Sequence, residues 1–235
     1  MAEDFHGIRT LAIDIGGSGL KMLVLDETGT PVTERSRKPT PQKGTPENVL
    51  AVLKKQIAGQ GAFDRVSVGF PGVVIDGVAH KAVNLDPGWD GFDIAKALAD
   101  ITGKPVRVAN DADVQGLGVI EGKGVELVIT LGTGIGTALY VHGHSVPNLE
   151  FGHHPFSKDR TYEVCLGNAA LKKAGDAKWN RRLKNAIRIW DRVFNYRMLY
   201  LGGGNARKIS FKLPANARKV PNIAGLLGGI ALWRD

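Results

Sequence analysis

Asp14 stands two residues before a Gly16-Gly17-Ser18-Gly19 turn, and Lys21 stands two residues after it. Glycines leave backbone N–H groups bare, so such a turn can wrap an anion. Ser18 adds a hydroxyl, Lys21 a cation, and Asp14 a carboxylate suited to a water-clad Mg²⁺. Gly132, Thr133, Gly134 and Gly136 repeat this grammar, and Gly202, Gly203, Gly204 and Asn205 form a third glycine turn. One glycine turn is usually only a turn. Two alike, each opening half of the chain, predict duplicated domains facing one phosphate chain from both sides. Asn110-Asp111-Ala112-Asp113 admits two readings. An Asn or Asp there can cap a helix, or the Asp111 carboxylate can take a proton from a substrate hydroxyl. Asp113 is read as structural and tolerant of replacement. Glu150 and His153, three apart in a glycine-containing loop, can converge on neighbouring hydroxyls or simply face solvent.

The elements that must position these residues follow from pattern. Leu11–Asp26 and Leu127–Val141 each set two apolar runs around a glycine cluster and read as hairpins. Residues 30–46 form a strand edge or a connecting loop. Thr45 then caps a helix with Pro46 at its first position and Val49, Leu50, Leu53 and Ile57 on its apolar face. Arg65–Phe70 reads as a buried strand ending in a Gly69–Gly72 turn, and Val73–His80 as a short hairpin. A polar loop over 84–92 carries Trp89, and a helix covers Asp93–Thr102. The strand Val106–Ala109 delivers Asp111 to a carboxyl end, where ligands gather in α/β folds. The following helix is expected to run to about Glu121. The strongest helical pattern spans Asp176–Tyr196, with Leu183, Ile187, Trp190 and Phe194 on one side and Arg181, Lys184, Arg188 and Arg192 opposite. A final helix is expected over Asn222–Trp233.

The chain has 235 residues, enough apolar content (43%) for real cores, and a formal charge of +8. That charge points to a polyanionic partner. No nucleic-acid-binding signature is present, which leaves nucleotide phosphates or a longer phosphate polymer. The basic face of the 176–196 helix is either a solvated face or a track for such a polymer, whose binding salt would weaken. Polar Met1–Arg9 predicts no secretory leader, and no apolar run is long enough to span a membrane. The single cysteine, Cys165, excludes an intramolecular disulfide, fits a reducing cytoplasm and reads as a small core residue.

Taken in order, Asp-Ile-Gly-Gly-Ser, Gly-Phe-Pro-Gly, Asn-Asp-Ala-Asp, Leu-Gly-Thr-Gly-Ile-Gly, Glu-Phe-Gly-His and Gly-Gly-Gly-Asn resemble the ROK family of sugar kinases, closest to its polyphosphate glucokinase branch. The resemblance covers nearly the whole chain. It implies an α/β protein of actin-like ATPase fold, with two ribonuclease-H-like α/β domains flanking a cleft. These would be residues 1–114, with a C-terminal helix 222–235 packed on them, and residues 115–221. The implied reaction is phosphoryl transfer from polyphosphate or ATP, with Mg²⁺, to the 6-hydroxyl of glucose. By position, Asp111 becomes the base, and Asn84, Asn110, Glu150, His153 and Glu163 become sugar-hydroxyl partners. Asp14, Gly16, Gly17, Ser18 and Lys21 line the phosphates on one side, and Gly132, Thr133 and Gly134 on the other. Gly202–Asn205 matches the segment near the nucleoside in ATP-using members. Many members carry a cysteine zinc site after the Glu-x-Gly-His segment. This chain has residues 155–162 there without cysteines, so no structural zinc is expected and His153 must be oriented by other means. The resemblance leaves an ATP-only hexokinase for another hexose, a non-catalytic sugar sensor and a homodimer open. It implies no nucleic-acid or membrane partner.

Overall fold

The computed structural model describes residues 7–80, 85–221 and 224–234. The chain forms two compact units, one of residues up to Gly118 together with the segment from Gly225, the other of Val119–Ala224.

In the first unit, β1 (Thr10–Gly16) and β2 (Gly19–Leu25) make the expected hairpin, with Gly16 paired to Gly19 and Asp14 opposite Lys21. The edge strand β3 (Ser36–Lys38) is the strand within the 30–46 connection. Thr45 caps α1 (Pro46–Ile57) through its hydroxyl, and Val49 and Leu53 are buried in the core beneath. β4 (Arg65–Phe70) joins β1 in parallel, and β5 (Val73–Ile75) and β6 (Val78–His80) make the short hairpin. Trp89, read as part of a polar loop, is fully buried. It packs on Phe70 and Phe92 and donates its indole N–H to Gly44 O at 2.7 Å. After α2 (Ile94–Thr102), β7 (Val106–Asn110) adds in parallel to β4 and leads straight into α3 (Asp111–Leu117). This helix stops four residues short of the expected Glu121. Gly116 and Gly118 weaken its last turn, and Gly118 is its C-cap.

The second unit repeats the plan. β8 (Val125–Leu131), β9 (Ile135–Val141) and β10 (His144–Val146) form an antiparallel meander. β11 (Pro155–Ser157) and β12 (Arg160–Thr161) pair as a small ribbon before α4 (Tyr162–Leu166), which Thr161 caps. α5 (Asn168–Phe194) contains a break at Gly175 (φ 74°, ψ 161°), so the helix expected from Asp176 is preceded by a shorter one. Trp179, Leu183, Ile187 and Trp190 bury its apolar side in a core with Tyr162 and Leu199. Cys165 is buried there too. β13 (Met198–Gly202) and β14 (Ala217–Lys219) then add in parallel to β8.

The two sheets have orders β3-β2-β1-β4-β7 and β10-β9-β8-β13-β14. Renumbered within each unit, both read 3-2-1-4-5, the ribonuclease-H-like arrangement. The C-terminal segment differs from expectation. It is a single turn, α6 (Ala224–Leu227), followed by a 3₁₀ run over Gly228–Trp233. Leu226 and Ile230 cover Ala12, Leu23 and Leu25 on the face of the first sheet. Ser67 donates to Gly229 O at 2.6 Å, and the Arg65 and Arg107 guanidinium groups lie 5.0 and 4.6 Å from the Trp233 ring. A Cβ on Gly228 would collide with Val114 O of α3. Close backbone approach, rather than a regular helix, explains the glycines here.

Candidate active site

In the first unit the chemically able residues gather where the parallel strands β1, β4 and β7 end. Asp14 pairs across to Gly69, and Gly69 to Ala109, so one row of the sheet runs from Asp14 to the residue two before Asp111. At roughly 4.8 Å between strands, that row spans about 10 Å. A Cβ on Gly69 would lie 3.4 Å from the Asp111 Cα, so this glycine forms the floor beneath the acid. Lys21 Nζ meets Asp14 Oδ2 at 2.6 Å, both side chains partly exposed. Gly17 and Ser18 form the exposed tip of the hairpin, and Thr40 donates its hydroxyl to Gly16 O.

Asn110 and Asp111 take different jobs. The Asn110 Oδ1 accepts from Ala112 N at 2.8 Å and Asp113 N at 3.4 Å, and its Nδ2 donates to Gly72 O at 3.0 Å. Asn110 is therefore the cap of α3 and is itself held by the Gly69–Gly72 turn, while Asp111 is the first helical residue. The capping alternative for Asp111 is thereby removed. Asp113 is 3% exposed, so it is structural but not the tolerant position expected. Asn84 lies outside the described residues.

In the second unit the corresponding loops follow β8 and β13. Gly132 N donates to Gly134 O at 3.1 Å, closing the three-residue turn between β8 and β9. Three elements hold that turn. Asn168 N donates to Gly132 O at 3.0 Å, Asn205 Nδ2 donates to Gly132 O at 3.1 Å, and Ile135 N donates to Glu163 Oε2 at 3.3 Å. A Cβ on Gly134 would collide with the Glu163 carboxylate, and one on Gly203 (φ 82°) with the Leu131 backbone. Thus Glu163 and Asn205, read as sugar and nucleoside contacts, both bind the glycine turn, and Gly202–Gly204 lies against it.

Glu150 and His153 approach to 3.5 Å between Oε2 and Nε2, each side chain about two-fifths exposed. His153 N donates to Glu150 O within the 3₁₀ turn Phe151–His153. The Thr137 hydroxyl donates to Leu149 O and accepts from Phe151 N at 3.1 Å, tying this loop to β9. Phe151 anchors it further, stacking on His154 at 4.9 Å and packing on Tyr162 and Phe194. Desolvation pushes the Glu150 carboxyl above its ordinary range. His153 opposes this and nearby Glu163 adds to it. Gly69 opens the Gly69–Gly72 turn read from the sequence, whereas Thr137 was not singled out. For Thr137 a signal existed, a hydroxyl buried inside the apolar run of β9.

A model of the ROK family matches residues 10–170. The chain belongs to the ROK family. Among relatives of this ROK chain, the polyphosphate glucokinase of Mycobacterium tuberculosis (strain ATCC 25618 / H37Rv) is 32% identical over 95% of this chain and 89% of that protein. The crystal structure of the inorganic polyphosphate/ATP-glucomannokinase from Arthrobacter sp. strain KM matches with a TM-score of 0.86 and 34% identity, covering 95% and 97% of the two chains. A ROK family glucokinase from Streptomyces griseus, crystallised with glucose and AMPPNP, shares the fold at a TM-score of 0.80 and 19% identity, covering 95% and 98%. The fold is the actin-like ATPase fold expected from the motifs. Among the described residues of this ROK chain, no three His, Cys, Asp or Glu side chains form a metal-holding group. A single carboxylate beside a glycine turn, such as Asp14 with its Lys21 partner at 2.6 Å, fits Mg²⁺, which takes most ligands from phosphates and water. Among the described residues, no helix is long and apolar enough to cross a membrane.

Proposed function

We propose that this ROK-family sugar kinase transfers a phosphoryl group from polyphosphate or ATP to the 6-hydroxyl of glucose, with Asp111 as the base on that hydroxyl. The observation that carries the assignment is the division of labour at the β7–α3 junction. Asn110 caps the helix at 2.8 Å, so the acid beside it is not spent as the cap. Phosphoryl transfer asks little covalent work of a protein; positioning and charge neutralisation do most of it. The glycine turns at Gly16-Gly17 and Gly132–Gly134, with Ser18, Thr133 and Lys21, hold the donor phosphates. Asp14 holds Mg²⁺ through water, and the ion, when bound, offsets the charge of the phosphates. Glu150 and His153 hold sugar hydroxyls. Glu163 acts through the Gly134 turn and Asn205 through Gly132, since both side chains are hydrogen-bonded there. The domain division expected at residues 114 and 115 remains part of this proposal.

Support comes from the polyphosphate glucokinase relatives and from the polyphosphate/ATP-glucomannokinase structure. The test is glucose 6-phosphate formation by the natural chain and by Asp111→Asn, with each donor in turn. A positioned base contributes about 10²–10⁴-fold, so kcat should fall by at least about 10² while glucose affinity changes little. Near-normal turnover in the folded variant would remove Asp111 from the chemistry.

A further inference from the structure

Beyond Gly175, one side of α5 presents Lys178, Arg181, Arg182 and Asn185 to a cavity of about 320 Å³. Ser157 of β11 and Cys165 of α4 also line it. The three cations stand at i, i+3 and i+4, a spacing that brings like charges together on a helix and costs stability unless something offsets it. No carboxylate lines the cavity, and none of the three cations has an ion-pair partner among the described residues. Three other cations of this unit have carboxylate partners: Lys208 with Asp176, and Arg197 and Arg218 with Glu121. Among the described residues, the one hydrogen-bond acceptor for these groups is Cys165 O, which takes an N–H of Arg182 at 3.3 Å. The lining therefore offers a guanidinium fork, a second guanidinium, an ammonium, an amide and a hydroxyl to an occupant rich in oxygen and negative charge. Arginine forks suit phosphate and carboxylate oxygens. The volume is about ten times a water's share of the liquid, room for several phosphoryl groups rather than one. Sequence pattern pointed to Arg181, Lys184, Arg188 and Arg192. Of these only Arg181 lines the cavity, and its neighbours there are Lys178 and Arg182.

We propose that this cavity is an oligophosphate-binding site separate from both glycine hairpins, holding a stretch of phosphate polymer remote from the group being transferred. Its role in donor use rests on the polyphosphate reading above, whereas binding itself does not. The cavity wall and the hairpin are linked through α4, which carries Cys165 on one and Glu163 on the other.

Tripolyphosphate is the probe. It is titrated calorimetrically at low salt into the full chain already loaded with glucose, Mg²⁺ and AMPPNP, so that the donor site is occupied. The expected result is saturable binding, weakened at least about tenfold in Lys178→Gln/Arg181→Gln, the loss from a few charge-assisted hydrogen bonds. Arg182 is left intact because its bond to Cys165 O makes its loss a folding risk. Lys184→Gln/Arg188→Gln removes the same charge from outside the cavity and should bind normally. In steady state the first pair should raise the KM for polyphosphate about tenfold and leave kcat/KM for ATP within about twofold. No binding to the loaded protein, or equal weakening by the two pairs, would overturn the site. Tripolyphosphate binding that depends on Lys178 and Arg181 in a protein that uses only ATP would uphold the site and overturn the donor reading.

Discussion

Asp111 begins α3 one residue after its cap, and that offset frees the two side chains for different tasks. Replacing Asn110 with Ala should cost about 1 kcal/mol of stability, the usual value of a cap, with a smaller loss of kcat than Asp111→Asn. Urea unfolding beside turnover separates the two effects. Glu150 gives a pH test. Burial raises its pKa in the folded protein, so the fold binds a proton more readily there than the unfolded chain does. The Glu150 contribution to stability is therefore fully present below the ordinary glutamate value of about 4.3 and is lost as pH rises through the folded value. Glu150→Gln should raise Tm slightly at pH 8, since water screens much of the burial cost of a side chain two-fifths exposed. That gain should vanish near pH 4, while kcat/KM for glucose falls at least about tenfold. A variant no more stable at pH 8 would show that Glu150 carries no such burden. The Asn-Asp pair was legible in the sequence because caps and strand ends have fixed chemistry. The embrace of the glycine turn by Glu163 was not, because a separation of 28 positions between Glu163 and Ile135 hides the contact.

At the scale of elements, glycines are where loops touch. Gly134→Ala would drive a methyl into the Glu163 carboxylate and release the Ile135 N–H it holds. The expected outcome is a KM for either donor raised about tenfold, with a stability loss of about 1–3 kcal/mol for the crowding. Donor kinetics and urea unfolding together check it. Gly228→Ala acts at a distance. Its methyl would push on Val114 O, in the helix that Asp111 begins. Stability should fall by about 1–3 kcal/mol with an unchanged m-value, and kcat should fall more than glucose affinity. The hairpins around these turns were legible because alternation and glycine punctuation are local signals. The final segment read as a helix because packing glycines and helical apolar spacing look alike in sequence. Close contact with α3 and the first sheet, made by residues over 100 positions away, selects the 3₁₀ form instead.

At the scale of the molecule, two sheets of identical strand order each end their parallel strands in a set of phosphate- or sugar-competent loops. The duplication could be read from the two glycine hairpins. β14 and the β11–β12 ribbon could not, since Ala-Arg-Lys, Pro-Phe-Ser and Arg-Thr carry no run of β-branched residues of the kind that marks the Val73–His80 hairpin. The net charge of +8 belongs to this scale as well. Raising ionic strength from about 0.01 to 0.15 M shortens the Debye length from about 30 to 8 Å. The KM for a long phosphate polymer should therefore climb more steeply than that for ATP. Equal salt dependence for both donors would mean that the polymer uses no cations beyond those that hold ATP. The most direct test of the whole account is the rate of glucose 6-phosphate formation by the purified chain at low salt with Mg²⁺, ATP and polyphosphate run side by side. The account predicts Mg²⁺-dependent product from both donors. A folded chain that binds glucose yet forms no glucose 6-phosphate from either would contradict it.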